Sequence, residues 1–141
     1  MWTSHAIWPR PSRWSEAQVS DVVGVGIDLI EIDRVAAVLA RQPRFAERCF
    51  TDAERAYCMS RKFPPQHFAA RFAAKEAVGK ALGIGMTRWH EAEVVRGRGA
   101  PTAILTGRCL RRASDLGVVE VLLSLTHSRG MAAAVAVLRG A

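Results

Sequence analysis

Long apolar runs are missing from this 141-residue sequence, although half of its residues are hydrophobic. No stretch of 18 apolar residues occurs, so we expect no membrane-spanning helix. The first twenty residues also lack the apolar stretch and small-residue cleavage site of a secretory signal, and we interpret residues 1–20 as a flexible N-terminal extension. Residues 21–141 are long enough for one domain and short for two, so we predict a single domain there.

Cysteine is scarce. The three cysteines, Cys49, Cys58 and Cys109, have no metal-ligand spacing, and their odd number argues against a disulfide framework. A reducing cytoplasm is therefore the simplest compartment for the chain. We interpret Cys49 and Cys58 as small buried apolar residues, not as nucleophiles.

Acidic residues are too few to balance the basic ones. The formal net charge is +7, and 17 of the 20 basic residues are arginine. A positive surface favours an anionic partner, which could be a nucleic acid, an acidic protein or a phosphorylated small molecule. A coding bias toward arginine is an alternative origin of the excess. The predicted strand segments TAILT and VEVLLSL carry no aromatic side chain for base stacking, so we expect no nucleic acid as partner.

Apolar periodicity predicts an α+β domain in which helices and strands are partly segregated. A doubly wound sheet would need regular alternation of strands and helices, which is absent. No internal repeat is visible. The predicted strands cover residues 22–30, 92–96, 102–107, 118–127 and 131–138, and the predicted helices cover residues 33–42, 52–61, 66–82 and 108–117.

Helix-end signals support these boundaries. Thr51 and Glu54 have the spacing of a capping box, in which each side chain accepts a hydrogen bond from a free amide of the first turn. Asp33 is a candidate cap for the first helix. Gly83 and Gly117 are placed to end the third and fourth helices.

The first predicted strand, VVGVGIDLI, has two unlike faces. Because side chains alternate along a strand, Val23, Val25 and Ile27 share one face while Gly24, Gly26 and Asp28 share the other. We interpret the segment as a buried strand. Glycine within a strand often marks the close approach of another group. The second face thus has no side chain before Asp28.

The third predicted helix contains FAAKEAVGKALG, with Glu76 at the edge of the apolar stripe and Lys80 one turn later. One interpretation is an ordinary surface pair at i and i+4, contributing roughly 0.2–0.5 kcal/mol. The other follows if this helix packs across the end of the first strand, because Asp28 and Glu76 then converge. Two carboxylates repel unless a cation lies between them, and Mg²⁺ prefers such hard oxygen ligands. Lys80 would then direct its ammonium at phosphates bound to the same cation.

These segments resemble a known family. GVGIDLIEIDR, RFAER, RFAAKEAVGKALG and SLTH occur here in the order typical of holo-[acyl-carrier-protein] synthases, the small 4′-phosphopantetheinyl transferases, and the resemblance covers roughly residues 22–138. It implies an antiparallel sheet packed with a long helix. It also implies transfer of 4′-phosphopantetheine from coenzyme A to a serine of apo-acyl carrier protein, with release of adenosine 3′,5′-bisphosphate. Mg²⁺ as cofactor and a homotrimer with active sites at subunit interfaces are implied as well.

The resemblance also assigns roles to residues. It implies that Asp28 and Glu76 are the Mg²⁺ ligands and that Asp28, Glu76 and Lys80 are catalytic. Our hypothesis for the base that accepts the serine proton is Glu76, acting directly or through a metal-bound water. Without the resemblance, His127 would be interpreted as an ordinary histidine at a strand end. The implied coenzyme A contacts are Arg71, Lys80, Gly83, Gly85 and His127.

The resemblance implies that a basic face is the docking surface for the acidic carrier protein. Arg34 and Arg41 are seven residues apart and so share one side of a helix. Arg44 and Phe45 follow, and Phe45 supplies an apolar anchor among the charges. A solvated basic face without a partner is the alternative. The sequence does not distinguish a carrier of fatty-acid, polyketide or peptide synthesis.

Several residues fall outside these roles. We interpret Lys75 as structural or solvated, and His67 and His90 as ordinary surface residues. Family chains usually begin almost at the first strand, so residues 1–20 are an addition. Ala100 stands where the family usually has a basic residue, which puts a charge contact from that turn in doubt. A catalytically inactive binder of carrier or coenzyme A is a further alternative, which the predicted catalytic residues argue against.

Overall fold

The computed structural model describes residues 21–141, and the predicted N-terminal extension lies outside the described residues. Helices and strands are partly segregated along the chain, as predicted. The strands are β1 Val22–Glu31, β2 Ala92–Val95, β3 Thr102–Leu105, β4 Val118–His127 and β5 Met131–Gly140, and the helices are α1 Ile32–Arg41, α2 Pro43–Cys49, α3 Asp52–Met59, α4 Pro64–Leu82 and α5 Gly107–Asp115.

Two antiparallel sheets confirm the α+β class. The larger sheet has the strand order β1-β5-β4, and the smaller one is the β2-β3 hairpin. Both predicted hairpins are therefore confirmed. The Thr102 hydroxyl donates to the carbonyl oxygen of Val121 at 2.8 Å and so links the two sheets. In the larger sheet, Asp28 is paired with Ala134 of the central strand.

Helix α4 lies on the larger sheet and is the centre of the core. Most of its side chains are buried on every side, which explains why a helix can be alanine-rich instead of amphipathic. A Cβ atom at Gly24 or Gly26 would overlap the carbonyl oxygens of Ala81 and Ala77 on this helix. The close approach predicted from the strand glycines is thus confirmed, and it brings the backbone of α4 directly onto β1.

The other face of β1 corrects the sequence interpretation. Val25, Ile27 and Leu29 are 60%, 63% and 62% exposed, so β1 is not buried on both sides. Val25 and Ile27 lie on the side of the sheet away from α4. Val23, which alternation placed on the same face, instead packs against the core. Apolar composition alone does not show which face of a strand is covered.

Helix boundaries were partly predicted. Thr51 and Glu54 form the expected capping box. Asp33 does not cap α1, because the helix begins one residue earlier and Asp33 lies in its first turn. Helix α2 was not predicted. Pro43 ends α1 as expected, but it also occupies the first turn of α2, where its fixed φ and missing amide hydrogen are tolerated.

A buried ion pair fastens α4 to its neighbours. Lys75 Nζ lies 2.7 Å from Glu54 Oε1, and both side chains are fully buried. The same ammonium donates to the carbonyl oxygens of Trp89 and Ala92, while Glu54 accepts from the amide of Val94. Burial lowers the pKa of Lys75, and the Glu54 carboxylate opposes that change. Lys75 is therefore structural and not solvated.

Within the described range, no helix combines the length and hydropathy needed to cross a bilayer.

Candidate functional site

Two carboxylates converge where β1 passes over α4. Asp28 from the strand and Glu76 from the helix line one cavity of about 440 Å³. Burial raises the pKa of Glu76, the negative charge of Asp28 raises it further, and Lys80 partly opposes both effects. The predicted convergence is confirmed, and Glu76 is not an ordinary solvated side chain.

Lys80 completes this group from one turn further along α4. Its Nζ donates to Asp28 Oδ1 at 3.1 Å and to the carbonyl oxygen of Ile27 at 2.9 Å. The ion pair of Lys80 is thus formed with the strand carboxylate, across the helix–strand contact. Because its side chain stays 55% exposed, Lys80 can also reach a ligand in the cavity.

The donor set fits a hard divalent cation with few protein ligands. Among residues 21–141, no group of three or more histidine, cysteine, aspartate or glutamate side chains is placed to hold a metal. A pair of carboxylates matches Mg²⁺, which usually keeps several waters and takes further oxygens from substrate phosphates. The repulsion that raises the pKa of Glu76 is what such a cation would relieve.

Two of the predicted docking residues form the wall of the same cavity. Arg34 of α1 and Phe45 of α2 line it beside Asp28 and Glu76. The ring centroids of Phe45 and Phe72 are 5.9 Å apart. The other two predicted docking residues lie further out. Arg41 is exposed in the last turn of α1, and Arg44 is exposed on α2.

A second groove of about 570 Å³ continues from this cavity, with Phe45 and Phe72 lining both. Trp89 stacks on Phe72 with a centroid distance of 4.6 Å. Sequence reasoning missed this groove because Trp89 belongs to a short 3-10 helix with no recognisable motif. The basic residues on its lining are Arg48 and Arg88.

Arg71 and His127 line a different cavity, of about 320 Å³. Arg71 is only 6% exposed, and its guanidinium lies 3.9 Å from the ring centroid of Tyr57. Its Nε is buried and has no hydrogen-bond partner among residues 21–141. Residues that sequence reasoning missed here are Tyr57, His67, Arg96 and Arg98.

The turn between β2 and β3 therefore carries charge into this cavity despite Ala100. Arg96 and Arg98 supply it from four and two residues before Ala100. His67, interpreted from the sequence as an ordinary surface residue, is half-buried and lines the same cavity. Pattern reasoning could not find it, because a single histidine near the start of a helix has no distinctive spacing.

Within one chain, the predicted site residues form two groups. Arg71 and Glu76 are five residues apart on α4, so their side chains leave the helix about 140° apart at 100° per residue. His127 is paired with Ala132 of β5, one strand removed from β1. Gly83 ends α4 with a φ of 71°, and Gly85 follows with open space where a side chain would lie.

Burial raises the pKa of all three cysteines, and that of Cys58 to about 11. A thiol with a raised pKa is protonated near neutrality and is a weak nucleophile. The interpretation of Cys49 and Cys58 as small buried apolar residues is therefore confirmed.

Comparison with known proteins points to one family. Residues 24–135 match the family model described as the 4′-phosphopantetheinyl transferase superfamily. A holo-[acyl-carrier-protein] synthase of Moorella thermoacetica is 51% identical over 114 residues, which are 79% of this chain and 89% of that protein. One from Anaeromyxobacter dehalogenans is 45% identical over 124 residues, 84% and 97% of the two chains.

A solved structure gives the same result. The holo-(acyl-carrier-protein) synthase of Bacillus anthracis, crystallised in complex with coenzyme A (3′,5′-ADP), superposes with a TM-score of 0.70 at 34% identity. The superposition covers 85% of this chain and 98% of that one. The match includes nearly the whole neighbouring protein and is not limited to a shared motif.

Proposed function

Because this chain belongs to the 4′-phosphopantetheinyl transferase superfamily, we propose that it is a holo-[acyl-carrier-protein] synthase. It transfers 4′-phosphopantetheine from coenzyme A to a serine hydroxyl of an apo-acyl carrier protein and releases adenosine 3′,5′-bisphosphate. The carrying observation is that Asp28 and Glu76 line one cavity, while Lys80 forms an ion pair with Asp28. Two carboxylates and an ammonium suit a pyrophosphate bound with a divalent cation.

Asp28 and Glu76 are the residues that would hold Mg²⁺. When bound, the cation supplies charge neutralisation and orientation at the pyrophosphate. Lys80 places a second positive charge at the same point, and its bond to the Ile27 carbonyl oxygen holds the ammonium against β1. Glu76 is our candidate for accepting the serine proton, because it lines the cavity into which the serine must come.

The basic cavity around Arg71 and His127 is the second part of the coenzyme A site. Its arginines suit the anionic nucleotide end of the coenzyme. The two parts face different sides of α4 within one chain, which favours a site completed between copies. Gly83 and Gly85, next to Lys80, are proposed backbone contacts to the coenzyme, since glycine allows close approach.

A homotrimer is the assembly that we propose. The apolar face of β1, formed by Val25, Ile27 and Leu29, is exposed in a single copy. A contiguous apolar surface of this kind is typical of a protein–protein interface. Association through this face would cover it and could bring the basic cavity of one copy toward the carboxylates of the next.

Docking of the carrier protein is assigned to the face formed by Arg34, Arg41, Arg44 and Phe45. Arg34 and Phe45 line the cavity of the two carboxylates, so an acidic partner held there would have its serine close to the reacting phosphate. Rim charges mainly raise the association rate, and the apolar anchor contributes to affinity. The cytoplasm remains our predicted compartment, where the three free cysteines would stay reduced.

Incubating the protein with apo-acyl carrier protein, coenzyme A and Mg²⁺ tests the proposal. The carrier should gain the mass of one phosphopantetheine group, detected by intact-protein mass spectrometry. Glu76→Gln and Asp28→Asn should abolish this gain at a fixed enzyme concentration. Asp115→Asn, an exposed acid at the end of α5, is the matched control and should leave it unchanged. If the protein without substitutions produces no mass gain in the carrier, the transferase proposal is wrong and the alternative of a catalytically inactive binder replaces it.

A further inference from the structure

The basic cavity contains more positive groups than the two residues that the family resemblance assigned to it. Its lining, as far as residues 21–141 form it, includes three arginines and two histidines and no aspartate or glutamate. Arg71 Cζ and Arg96 Cζ lie 3.9 and 5.5 Å from the ring centroid of Tyr57. Arg61, next to the cavity, lies 5.6 Å from the same ring. This concentration of charge without a counterion indicates a site for an anion.

His67 lies inside this group of charges. Its ring centroid is 6.2 Å from that of His127 on β4 and 5.9 Å from that of Tyr57 on α3. Among residues 21–141, the groups around it that can carry a charge near neutrality are all basic. These groups are Arg61 after α3, Arg71 on α4, Arg96 and Arg98 in the β2–β3 turn, and His127.

These neighbours disfavour the imidazolium form of His67 in the free protein. Burial lowers the pKa of His67, and the charges of Arg61, Arg71 and His127 lower it further. His67 is thus mostly neutral near pH 7 when the cavity holds no anion. A bound dianion would reverse the sign of the local field and favour protonation of the imidazole.

We infer that His67 contacts the phosphate monoester of coenzyme A in its imidazolium form, together with His127, so that the coenzyme binds with uptake of a proton. This inference rests on the proposed function and adds a residue and a pH dependence to that site. Arg71 supports it independently, because this buried side chain lines the cavity with an Nε that has no hydrogen-bond partner in the described part of the chain. An oriented donor of this kind is typical of a built anion site.

A monoester suits the cavity better than a diester phosphate. Its second pKa is about 6, so it carries nearly two charges at pH 7. Each phosphate of the coenzyme's pyrophosphate carries about one charge and titrates well below this range. The cavity should therefore distinguish coenzyme A from dephospho-coenzyme A, which lacks the monoester.

The sign of the pH dependence follows from the lowered pKa. Binding should tighten as the pH falls through the pKa that His67 has in the complex, and it should level off below the pKa of the free protein. The useful range is about pH 8 to about pH 6, in which histidine titrates.

Calorimetric titration of the full chain with coenzyme A, in buffers of different ionisation enthalpy, measures both affinity and proton uptake. His67→Gln should weaken binding about three- to fivefold at the low end of the range, as expected for a partly exposed charge pair, and should leave affinity nearly unchanged at the high end. His90→Gln removes an exposed histidine outside this cavity and should behave as the unmodified protein. NMR titration of His67 in the unmodified protein should show its pKa rising when coenzyme A is added.

Three outcomes would overturn the inference. One is His67→Gln retaining the full pH dependence and proton uptake. Another is dephospho-coenzyme A giving the same uptake as coenzyme A. The third is an unchanged pKa of His67 in the complex. If carrier modification persists in any of these cases, only the role of His67 is wrong. If the protein without substitutions does not modify the carrier, the proposed function itself is contradicted.

Discussion

Gly26→Ala tests how β1 and α4 bring two carboxylates together. A Cβ atom at this position would overlap the carbonyl oxygen of Ala77 and lie 2.8 Å from the amide nitrogen of Ala81. Both are backbone atoms in the middle of a long helix, and neither can rotate away. The helix as a whole must therefore move off the strand, which increases the separation of Glu76 from Asp28.

The magnitude follows from this geometry. Overpacking costs about 1–3 kcal/mol when flexible side chains can adjust, so a clash with helix backbone belongs at the upper end. Alanine restricts the unfolded chain more than glycine does, which offsets about 0.4–1 kcal/mol. The net loss of unfolding free energy is about 2 kcal/mol. For a domain of this size, that lowers the thermal midpoint by roughly 6–8 °C.

Urea unfolding followed by circular dichroism measures this free energy, and a thermal scan measures the midpoint. Gly130→Ala is the matched control, because a Cβ atom in the β4–β5 turn would meet nothing within 4 Å. At temperatures where Gly26→Ala remains folded, its turnover should fall more than its affinity for coenzyme A. A Gly26→Ala protein as stable and as active as the Gly130→Ala protein would refute the direct contact between strand and helix.

Three further predictions concern buried charge, metal and docking. Lys75→Met should destabilise the fold by about 3–5 kcal/mol in urea unfolding, because it leaves a buried carboxylate unpaired, and adding Glu54→Gln should recover part of the loss. Mg²⁺ should raise the thermal midpoint of the unmodified protein but not of Glu76→Gln. That variant should itself be more stable near neutral pH without Mg²⁺, because the raised pKa of Glu76 means that ionisation above its ordinary pKa costs folding free energy. Carrier affinity should fall with added salt, and the salt dependence should be weaker for Arg44→Ala than for Arg111→Ala on the exposed side of α5; equal slopes would contradict the docking face.

Local signals in the sequence predicted the secondary structure well. The capping box of Thr51 and Glu54, the glycine end of α4 and both hairpins could be identified because the interactions that form them lie within a few residues. Helix α2 was missed because it offers no such local signal. Its seven residues lie between a proline and a capping box, too short for periodicity to be recognised.

The candidate site was only partly predictable. Asp28, Glu76 and Lys80 could be proposed together because each lies in a motif with a strong local pattern. His67 carries no such pattern, and it becomes part of a site only because α3, α4 and β4 meet around it. The separation of Arg71 from Glu76 likewise depends on which side of α4 faces which strand.

The sequence by itself determined the strand and helix types, the bare glycine face of β1 and the acidic residues next to it, because these depend on alternation and on bonds between near neighbours. Tertiary structure alone decided which face of β1 is covered, that Lys75 is buried against Glu54, and that basic side chains from four segments of the chain surround one histidine. The physical reason is that burial and electrostatic potential are summed over groups distant in sequence. The burial of a side chain and the potential at a site are therefore defined only once the chain has packed.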